Sequence, residues 1–264
     1  MTSSLRQLAI VILWDVRKLS KYKFFLAMRF SWFIFQVLLF GYIISNMVDS
    51  ARVAAGFDYY KFYIAGSYVA ILFSLSALHG YDIIEEFEDG IINYHLSLPI
   101  SRRVLTLGRV LGGGLAVFIL SLPMSLILAY VMKAGVLPYL GLLAVSLLFS
   151  LGLTSGSMAL ALTLRASEKL DVVMGTLDSL AIRLSTAFYP ITVIASIAIY
   201  YYLALGNPVS HVADSIRYFF GDEVGPYRVA DFWLMAAYIL GFATASVLAA
   251  MFFMDRRAEG GYSR

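Results

Sequence analysis

Long apolar stretches dominate this sequence and limit what it can fold into. Six of them are long enough, at about 1.5 Å per helical residue, to cross a hydrocarbon core of about 30 Å. Of all residues, 61% are hydrophobic and only 14% are charged, whereas soluble domains carry about 25% charged residues. The chain is therefore predicted to be an all-α integral membrane protein with a single transmembrane domain over residues 1–264. The predicted spans are residues 30–48, 62–79, 110–132, 138–164, 180–205 and 232–254.

The positive charges predict the orientation of these spans. Fifteen of the 20 Lys and Arg residues lie in the two terminal segments and in the second and fourth connections between spans, when Arg183 at the start of the fifth span is counted with the fourth connection. Because Lys and Arg accumulate on the cytoplasmic side of membrane proteins, this bias predicts that both termini are cytoplasmic. The predicted location is the cell membrane, where the lipids surround the spans.

The N-terminal segment, residues 1–29, is predicted to form an amphipathic helix. Its apolar residues recur every three or four positions beside basic residues, which favours a helix lying in the cytoplasmic interface. The alternative is an ordinary helix end that leads into the first span. No small-residue cleavage site follows the apolar run, so a signal peptide is not expected. The apolar stripe consists of Leu5, Leu8, Ile12, Val16 and Leu19.

Two connections between the spans are long. Residues 206–231, between the fifth and sixth spans, are too polar to cross a membrane and are predicted to form short helices at the outer interface. Residues 81–109, between the second and third spans, form the largest predicted cytoplasmic segment. This segment places acidic residues before basic ones in an otherwise apolar chain.

The local signals in residues 81–109 predict a helix, a short element, a break and then a second helix. Asp82 is suited to cap the first helix, and acids in its first turn would favour the helix dipole. Gly90 is expected to end this helix, and Pro99 cannot continue one. Ser101 is suited to cap a second helix that starts with Arg102 and runs into the third span.

The apolar residues at the tip of this segment lie outside the predicted spans, so the bilayer does not bury them. Leu96, Leu98 and Ile100 would form a docking point for another protein. The alternative is that they fold back on the helix ends of a solvated loop.

The order of these motifs resembles a known family. The acidic helix, the glycine and then LSLPISRRVLTLGRVLG are similar to the second cytoplasmic loop of the type-2 ATP-binding cassette permeases. RLSTAFYPITVI and NPVSHVADSIR resemble that family's fifth span and the outer segment after it. Asn207, Pro208 and Arg217 occupy the positions of the family's asparagine-proline and arginine. The chain departs from the family pattern at Ile91 and Asn93, where threonine and an acid are frequent.

The resemblance implies a function and its partners. It implies the membrane subunit of an exporter, which works as a homodimer or heterodimer with a separate cytoplasmic ATPase that binds ATP and Mg. The loop would be a coupling helix that enters a cleft on this ATPase. The substrates of the family include lipids, amphiphilic drugs and glycans. The implied coupling residues are Glu85, Glu86, Glu88, Asp89, Gly90, Leu96, Leu98, Pro99, Ile100, Ser101, Arg102 and Arg103.

Several kinds of chemistry are missing from the sequence. The phosphate-binding pattern G-x-x-x-x-G-K-[ST] does not occur, so no cofactor is expected on this chain. Without cysteine there is no thiolate site, and a net charge of +3 does not indicate nucleic-acid binding. His79, His95 and His211 are dispersed, so a metal site is not expected. The competing interpretation is a membrane-embedded hydrolase or transferase that acts on lipid. An ion channel is not expected, because the sequence contains no recognisable filter loop.

A few polar, small and proline residues lie within or near the spans. Polar groups in lipid face a protein interior or a water-filled cavity. They are candidates for the translocation path or for helix packing, and Pro190 is expected to bend the fifth span. Asp178 and Arg183, at the predicted inner start of that span, would either form ion pairs at a gate or extend to the interface. The candidates are Gln36, Asn46, Gly152, Ser155, Gly156, Pro190, Asn207, Pro208 and Arg217.

Overall fold

A computed structural model describes residues 4–19, 22–48, 56–221, 224–225 and 227–260. Throughout this described part the regular structure is helical, as the sequence predicts. The helices are α1 (Ser4–Leu19), α2 (Lys23–Phe35), a π-helical turn (Gln36–Gly41), α3 (Tyr42–Met47), α4 (Tyr59–Glu88), α5 (Ile91–Ser97), α6 (Arg102–Met132), α7 (Val136–Leu164), α8 (Ser167–Arg183), α9 (Ile191–Ile194), α10 (Ala198–Leu205), α11 (Pro208–Tyr218) and α12 (Phe232–Gly260).

Five helical segments are long and apolar enough to cross a membrane. They are Lys23–Met47, Tyr59–Glu88, Arg102–Met132, Val136–Leu164 and Phe232–Arg257. Each overlaps a predicted span, and the predicted fifth span has no counterpart among them.

Helices α4 and α6 are longer than a bilayer requires. With 30 and 31 residues they extend about 45 Å, about 15 Å more than a hydrocarbon core. Their charged ends therefore project beyond the apolar part of the bundle, with α5 at the tip. We call residues 82–109 the stalk, and we call the other end of the bundle the far side.

Local sequence signals fix the ends of these helices. The Asp58 carboxylate accepts a hydrogen bond from the Lys61 amide at 3.1 Å and caps α4. Gly90 has a φ of 73°, which ends the run begun by α4, as predicted. The Ser101 hydroxyl accepts a hydrogen bond from the Val104 amide at 3.3 Å, so the predicted cap of α6 is also confirmed.

The predicted cap at Asp82 is wrong. Helix α4 continues without interruption from Tyr59 to Glu88, so Asp82 lies in its interior. The four acidic residues that follow Asp82 consequently lie at the C-terminal end of a helix and not in a first turn.

Helix α1 packs along the stalk half of α6. A side-chain carbon on Gly108 would lie 2.6 Å from Val11, and one on Gly112 would lie 2.8 Å from Asp15. Glycines at these positions let the two helices approach closely. Because the residue numbers of both helices increase together along the contact, α1 and α6 run parallel. The buried face of α1 centres on Val11 and Asp15, whereas Leu5 of the predicted stripe is exposed. The side chain of Leu19 is outside the described residues.

The predicted fifth span is not a continuous helix. Residues 184–190 are not helical, and two short helices, α9 and α10, follow them. Pro190 precedes the first turn of α9, so it starts a new helix and does not bend a long one.

Helix α8 precedes this break and packs beside α4. Its first residue, Ser167, donates a backbone hydrogen bond to Glu88 at 2.8 Å, and Tyr81 donates to Asp171 at 2.8 Å. At the other end, the carbonyl of Ala187 lies against Gly66, so closely that a side chain on Gly66 would collide with it. Residues 167–187 thus run antiparallel to α4 over about 33 Å.

The connection at the far side contains α11, a helix of 11 residues. Its residues 209–217 are buried among the long helices. The helix packs beside the break in residues 184–190, and its position at the outer interface stays a prediction.

Candidate functional site

A buried group of charges holds the stalk together. Arg109, 1% exposed, donates one hydrogen bond to Asp15 on α1 and one to Glu86 on α4, each at 2.5 Å. Charge-assisted hydrogen bonds of this length are the strong ones, and a guanidinium group can serve two carboxylates at once. The arginine therefore joins three helices at one point.

Further contacts extend this group. Lys18 lies 2.8 Å from Glu86 and 3.2 Å from Asp82, and the Tyr22 hydroxyl donates to Asp82 at 2.7 Å. We call Asp15, Lys18, Asp82, Glu86 and Arg109 the charge cluster. It ties α1 to both long helices of the stalk.

The helix at the tip also contacts the charge cluster. His95 of α5 lies 3.6 Å from Glu86, and its ring packs edge-on against Trp14 of α1 at a centroid distance of 4.2 Å. Burial lowers the pKa of His95, so the imidazole is neutral near pH 7. Helix α5 is thereby fixed to α1 as well as to α4.

The charge cluster contains three carboxylates and two cations, so one acid lacks full compensation. Burial raises the pKa of Asp15 from 3.8 to about 7, against the opposing effect of Arg109. One oxygen of Asp15, Oδ2, is buried without a hydrogen-bond partner among the described residues. Burial and the carboxylate of Asp82 together raise the pKa of Tyr22, so this phenol stays protonated as a donor.

The substitution Asp15→Asn is expected to change how stability depends on pH. An acid whose pKa is raised by folding favours the folded state fully below its unfolded pKa of 3.8, and loses this contribution as the pH rises towards about 7. The wild type should therefore lose up to about 1.4 kcal/mol per pH unit relative to Asp15→Asn over this window. Melting both purified proteins from pH 5 to pH 8 checks this; a constant difference between them would contradict it.

Most of the predicted coupling residues lie on the stalk surface, but not all do. Glu86 is buried inside the charge cluster, and the carboxylate of Glu88 caps the first turn of α8 through Ser167. Leu98 and Ile100 are half-buried, and the side chain of Leu96 is outside the described residues. Gly90 is half-buried in the turn between α4 and α5. The exposed members are Glu85, Glu88, Asp89, Pro99, Ser101, Arg102 and Arg103.

Two residues outside the predicted coupling set supply the apolar surface at the tip. Tyr94 is 66% exposed and Ile91 is 44% exposed, and both lie on α5. Ile91 and Tyr94 are three positions apart in IINYHLS, so a helix places them on one face.

The charges at the stalk tip oppose the helix dipoles. Glu85 and Asp89 lie at the negative C-terminal end of α4, while Arg102 and Arg103 lie at the positive N-terminal end of α6. Each such placement costs about 0.3–1 kcal/mol in an exposed helix. Folding stability alone does not favour this arrangement, and residues that break a local rule in this way are typical of functional surfaces.

A second buried arginine clamps the break that follows α8. Arg217 of α11 donates to the carbonyls of Thr186 and Ala187, to the carbonyl of Phe62 and to Asp214, at 2.6–3.0 Å. Its guanidinium group also lies 3.4 Å from the centre of the Phe62 ring. Backbone carbonyls that no helix satisfies inside a membrane need such donors.

Asn207 and Pro208 belong to the same clamp. The Asn207 amide group donates to the carbonyls of Ala181 and Leu184, and its oxygen caps α11 by accepting from Val209 at 3.0 Å. Pro208 occupies the first turn of α11, where its missing N–H is not needed. The structure thus brings together Asn207, Pro208 and Arg217, which the sequence singled out separately.

The small residues of α7 have different roles. A side chain on Gly152 would lie 2.7 Å from the Phe242 ring, so this glycine permits close packing against α12. Ser155 donates to the Leu151 carbonyl of its own helix at 2.6 Å. Gly156 borders an apolar cavity of about 660 Å³ between α4, α7, α8 and α12.

The remaining candidates lie on the first span. Gln36 begins the π-helical turn, and its side-chain oxygen is buried without a partner among the described residues. Asn46 donates to the Tyr42 carbonyl one turn earlier, at 2.8 Å, so it stabilises its own helix. The described part of the chain also brings no three His, Asp or Glu side chains together as a metal site.

The helical bundle and its charged stalk define a polytopic membrane protein. A family model described as "ABC-2 type transporter" matches residues 6–221 of the chain. The chain therefore belongs to the ABC-2 type transporter family, and it is a transporter membrane subunit rather than an enzyme. No curated protein matches it.

Proposed function

We propose that this chain is the transmembrane subunit of an ATP-binding cassette exporter and that separate ATPase subunits drive it through the stalk. The observation that carries the proposal is the construction of α5. This short helix is exposed on one side, and on the other side its His95 packs against Trp14 and lies next to Glu86 of the buried charge cluster. A force on α5 is therefore passed to α1, α4 and α6 together.

The surface of the tip suits a protein partner. Aromatic residues are enriched among those that contribute most to protein–protein binding, and the side chain of Tyr94 is exposed on this surface. Around it, the exposed acids and arginines provide charges of both signs. Their cost against the helix dipoles is offset if the ATPase carries complementary charges.

The proposed topology has six crossings, with residues 167–187 as the fifth. The positions of the described ends support an even number, because α1 packs on the stalk and Arg257 of α12 lies 3.9 Å from the ring of Phe87 in the stalk. Helix α1 and the last described turns of α12 are thus both on the stalk side. The positive-inside bias makes this side cytoplasmic and suits a location in the cell membrane.

The proposed mechanism is alternating access in a dimer of permease chains. ATP and Mg bind to the partner ATPase, since this sequence contains no phosphate-binding loop. Closure of the ATPases pushes on the stalk, and the crossings reopen on the far side. The first span presents many exposed apolar side chains to a second permease chain or to lipid.

Purification from native membranes tests this function. We expect a soluble ATPase with a phosphate-binding loop to accompany the chain in a ratio near one to one, as identified by mass spectrometry. A second permease in the same preparation would show a heterodimer. A chain that emerges alone, in a preparation where added nucleotide changes nothing, would contradict the proposal.

The substitution Tyr94→Ala is expected to weaken binding of the ATPase at least tenfold, because truncating an aromatic hot-spot residue costs about 2 kcal/mol or more, and about 1.4 kcal/mol corresponds to a factor of ten. The measurement is a titration of the purified permease with the ATPase that accompanies it. The matched control is Tyr130→Ala, whose side chain is 85% exposed at the far end of α6. Equal binding by the two variants would show that α5 is not the docking element.

A further inference from the structure

Helix α8 carries an exposed face of mixed polarity, on which Val172 is 69% exposed and Leu180 is 49% exposed beside the polar residues. Thr176 and Arg183 are exposed on it, and Ser179 lies between them and is half-buried. These three residues are spaced by three and four, so they share one side of the helix. A side chain on the neighbouring Gly175 would meet no atom within 4 Å among the described residues.

This face lies at the depth of the membrane in the proposed topology. Asp171 of α8 bonds to Tyr81 next to the stalk, and Arg183 follows 12 residues later, about 18 Å further along the helix. The chain then continues to Ala187, next to Gly66 of α4. Arg183 is therefore inside a core of about 30 Å and not at its border.

Hydrocarbon is an unsuitable environment for the charge of Arg183 on this face. An arginine near the centre of a bilayer is costly, and such residues face a protein interior or a water-filled cavity. The carbonyl of Arg183 accepts a hydrogen bond from the Tyr200 hydroxyl, so α10 lies beside it towards the far side. Helix α10 therefore occupies the space through which the Arg183 side chain would otherwise extend to the far interface.

Arg183 is the exposed charge on this part of α8. The other ionisable residue of the crossing, Asp178, is half-buried and faces Arg29 of α2. Glu168, Lys169 and Asp171 lie at the level of the stalk. No ion pair is found for Arg183 within the described residues.

We propose that this face of α8 lines the translocation path and that Arg183 binds an anionic group, such as a phosphate or carboxylate, of the transported molecule. The inference rests on the proposed function, because a path requires the assembled transporter. Rings of arginine or lysine select anions in pores, and two permease chains would supply two guanidinium groups. The path then attracts anions and repels cations.

The absence of cysteine from the sequence permits a direct test. In Thr176→Cys, a thiol in water reacts with both an anionic thiosulfonate (the ethylsulfonate reagent) and a cationic one (the ethyltrimethylammonium reagent). Arg183 is about 10 Å away, and one charge at this distance in water changes the ratio of the two rates about fourfold. We expect Thr176→Cys to favour the anionic reagent, and Arg183→Gln to reduce this preference about fourfold, while Arg183→Lys preserves it.

Two control variants define the range of the assay in membranes that contain the permease and its ATPase. Leu248→Cys, at a position of α12 that is 61% exposed and that the proposed topology places against lipid, should not react, and Ser97→Cys on the stalk should react readily. An unreactive Thr176→Cys would overturn the inference. An unchanged rate ratio in Arg183→Gln would overturn the anion site. If the ATPase still accompanies the chain in either case, the proposed function stands; loss of the ATPase from the wild type overturns that function instead.

Discussion

Replacement of Arg109 by glutamine is expected to destabilise the folded chain by about 3–5 kcal/mol, the largest effect of any single substitution in the stalk. The substitution leaves Asp15 and Glu86 buried without their shared cation. For a chain of this length the melting temperature should fall by about 6–20 °C. The measurement is a thermal melt of the purified protein in detergent, followed by the ATPase-binding titration at a temperature where the variant stays folded.

Arg102→Gln is the matched control for this prediction. It removes the same side chain from the exposed tip, where the change in stability should be small and favourable with respect to the helix dipole. The triple variant Asp15→Asn, Glu86→Gln and Arg109→Gln should recover part of the loss, because removing a whole buried ionic group is often neutral. If Arg109→Gln melted together with Arg102→Gln, the charge cluster would not hold the stalk.

The parts of the fold that depend on local signals could be predicted from the sequence. Hydropathy located five of the spans, and single residues such as Gly90 and Ser101 located the helix ends. These signals act within one turn of a helix, so a sequence contains them completely.

The charge cluster could not be predicted in this way. Asp15 and Arg109 are 94 positions apart, and only the packing of α1 on α6 brings them together. The same acidic segment that suggested a partner site contributes Glu86 to this interior. A signal did exist, since Asp15 directly follows the continuous apolar run LAIVILW, but it does not identify the cation.

The proposed fifth crossing differs from the predicted fifth span. The apolar residues 191–205 placed the predicted span at 180–205, which shares only residues 180–187 with the proposed crossing at residues 167–187. In the structure residues 191–205 contain the short helices α9 and α10, while α8 runs beside α4 with Asp178 and Arg183 in its sequence. A crossing that borders a translocation path or a protein partner can contain polar residues, and these lower its mean hydropathy.

The substitution Arg217→Met is expected to destabilise the far side by a similar amount, about 3–5 kcal/mol. It leaves Asp214 buried without its cation and removes the donors to three backbone carbonyls. Arg217→Lys should still cost a substantial part of this energy, because one ammonium group cannot reproduce the fork that serves carbonyls on both sides. Thermal melting measures the loss, and Ser185→Cys, buried in the wild type, should become reactive towards thiol reagents when the clamp opens.

Two results would separate this clamp from the stalk. Arg103→Met, an exposed arginine at the tip, is the control and should leave the reactivity of Ser185→Cys unchanged. Because Arg217 is at the opposite end of α4 from the stalk, Arg217→Met should keep its ATPase binding while transport is lost. A variant that loses both together would mean that the two ends of α4 do not act as separate units, and that the clamp supports the whole bundle.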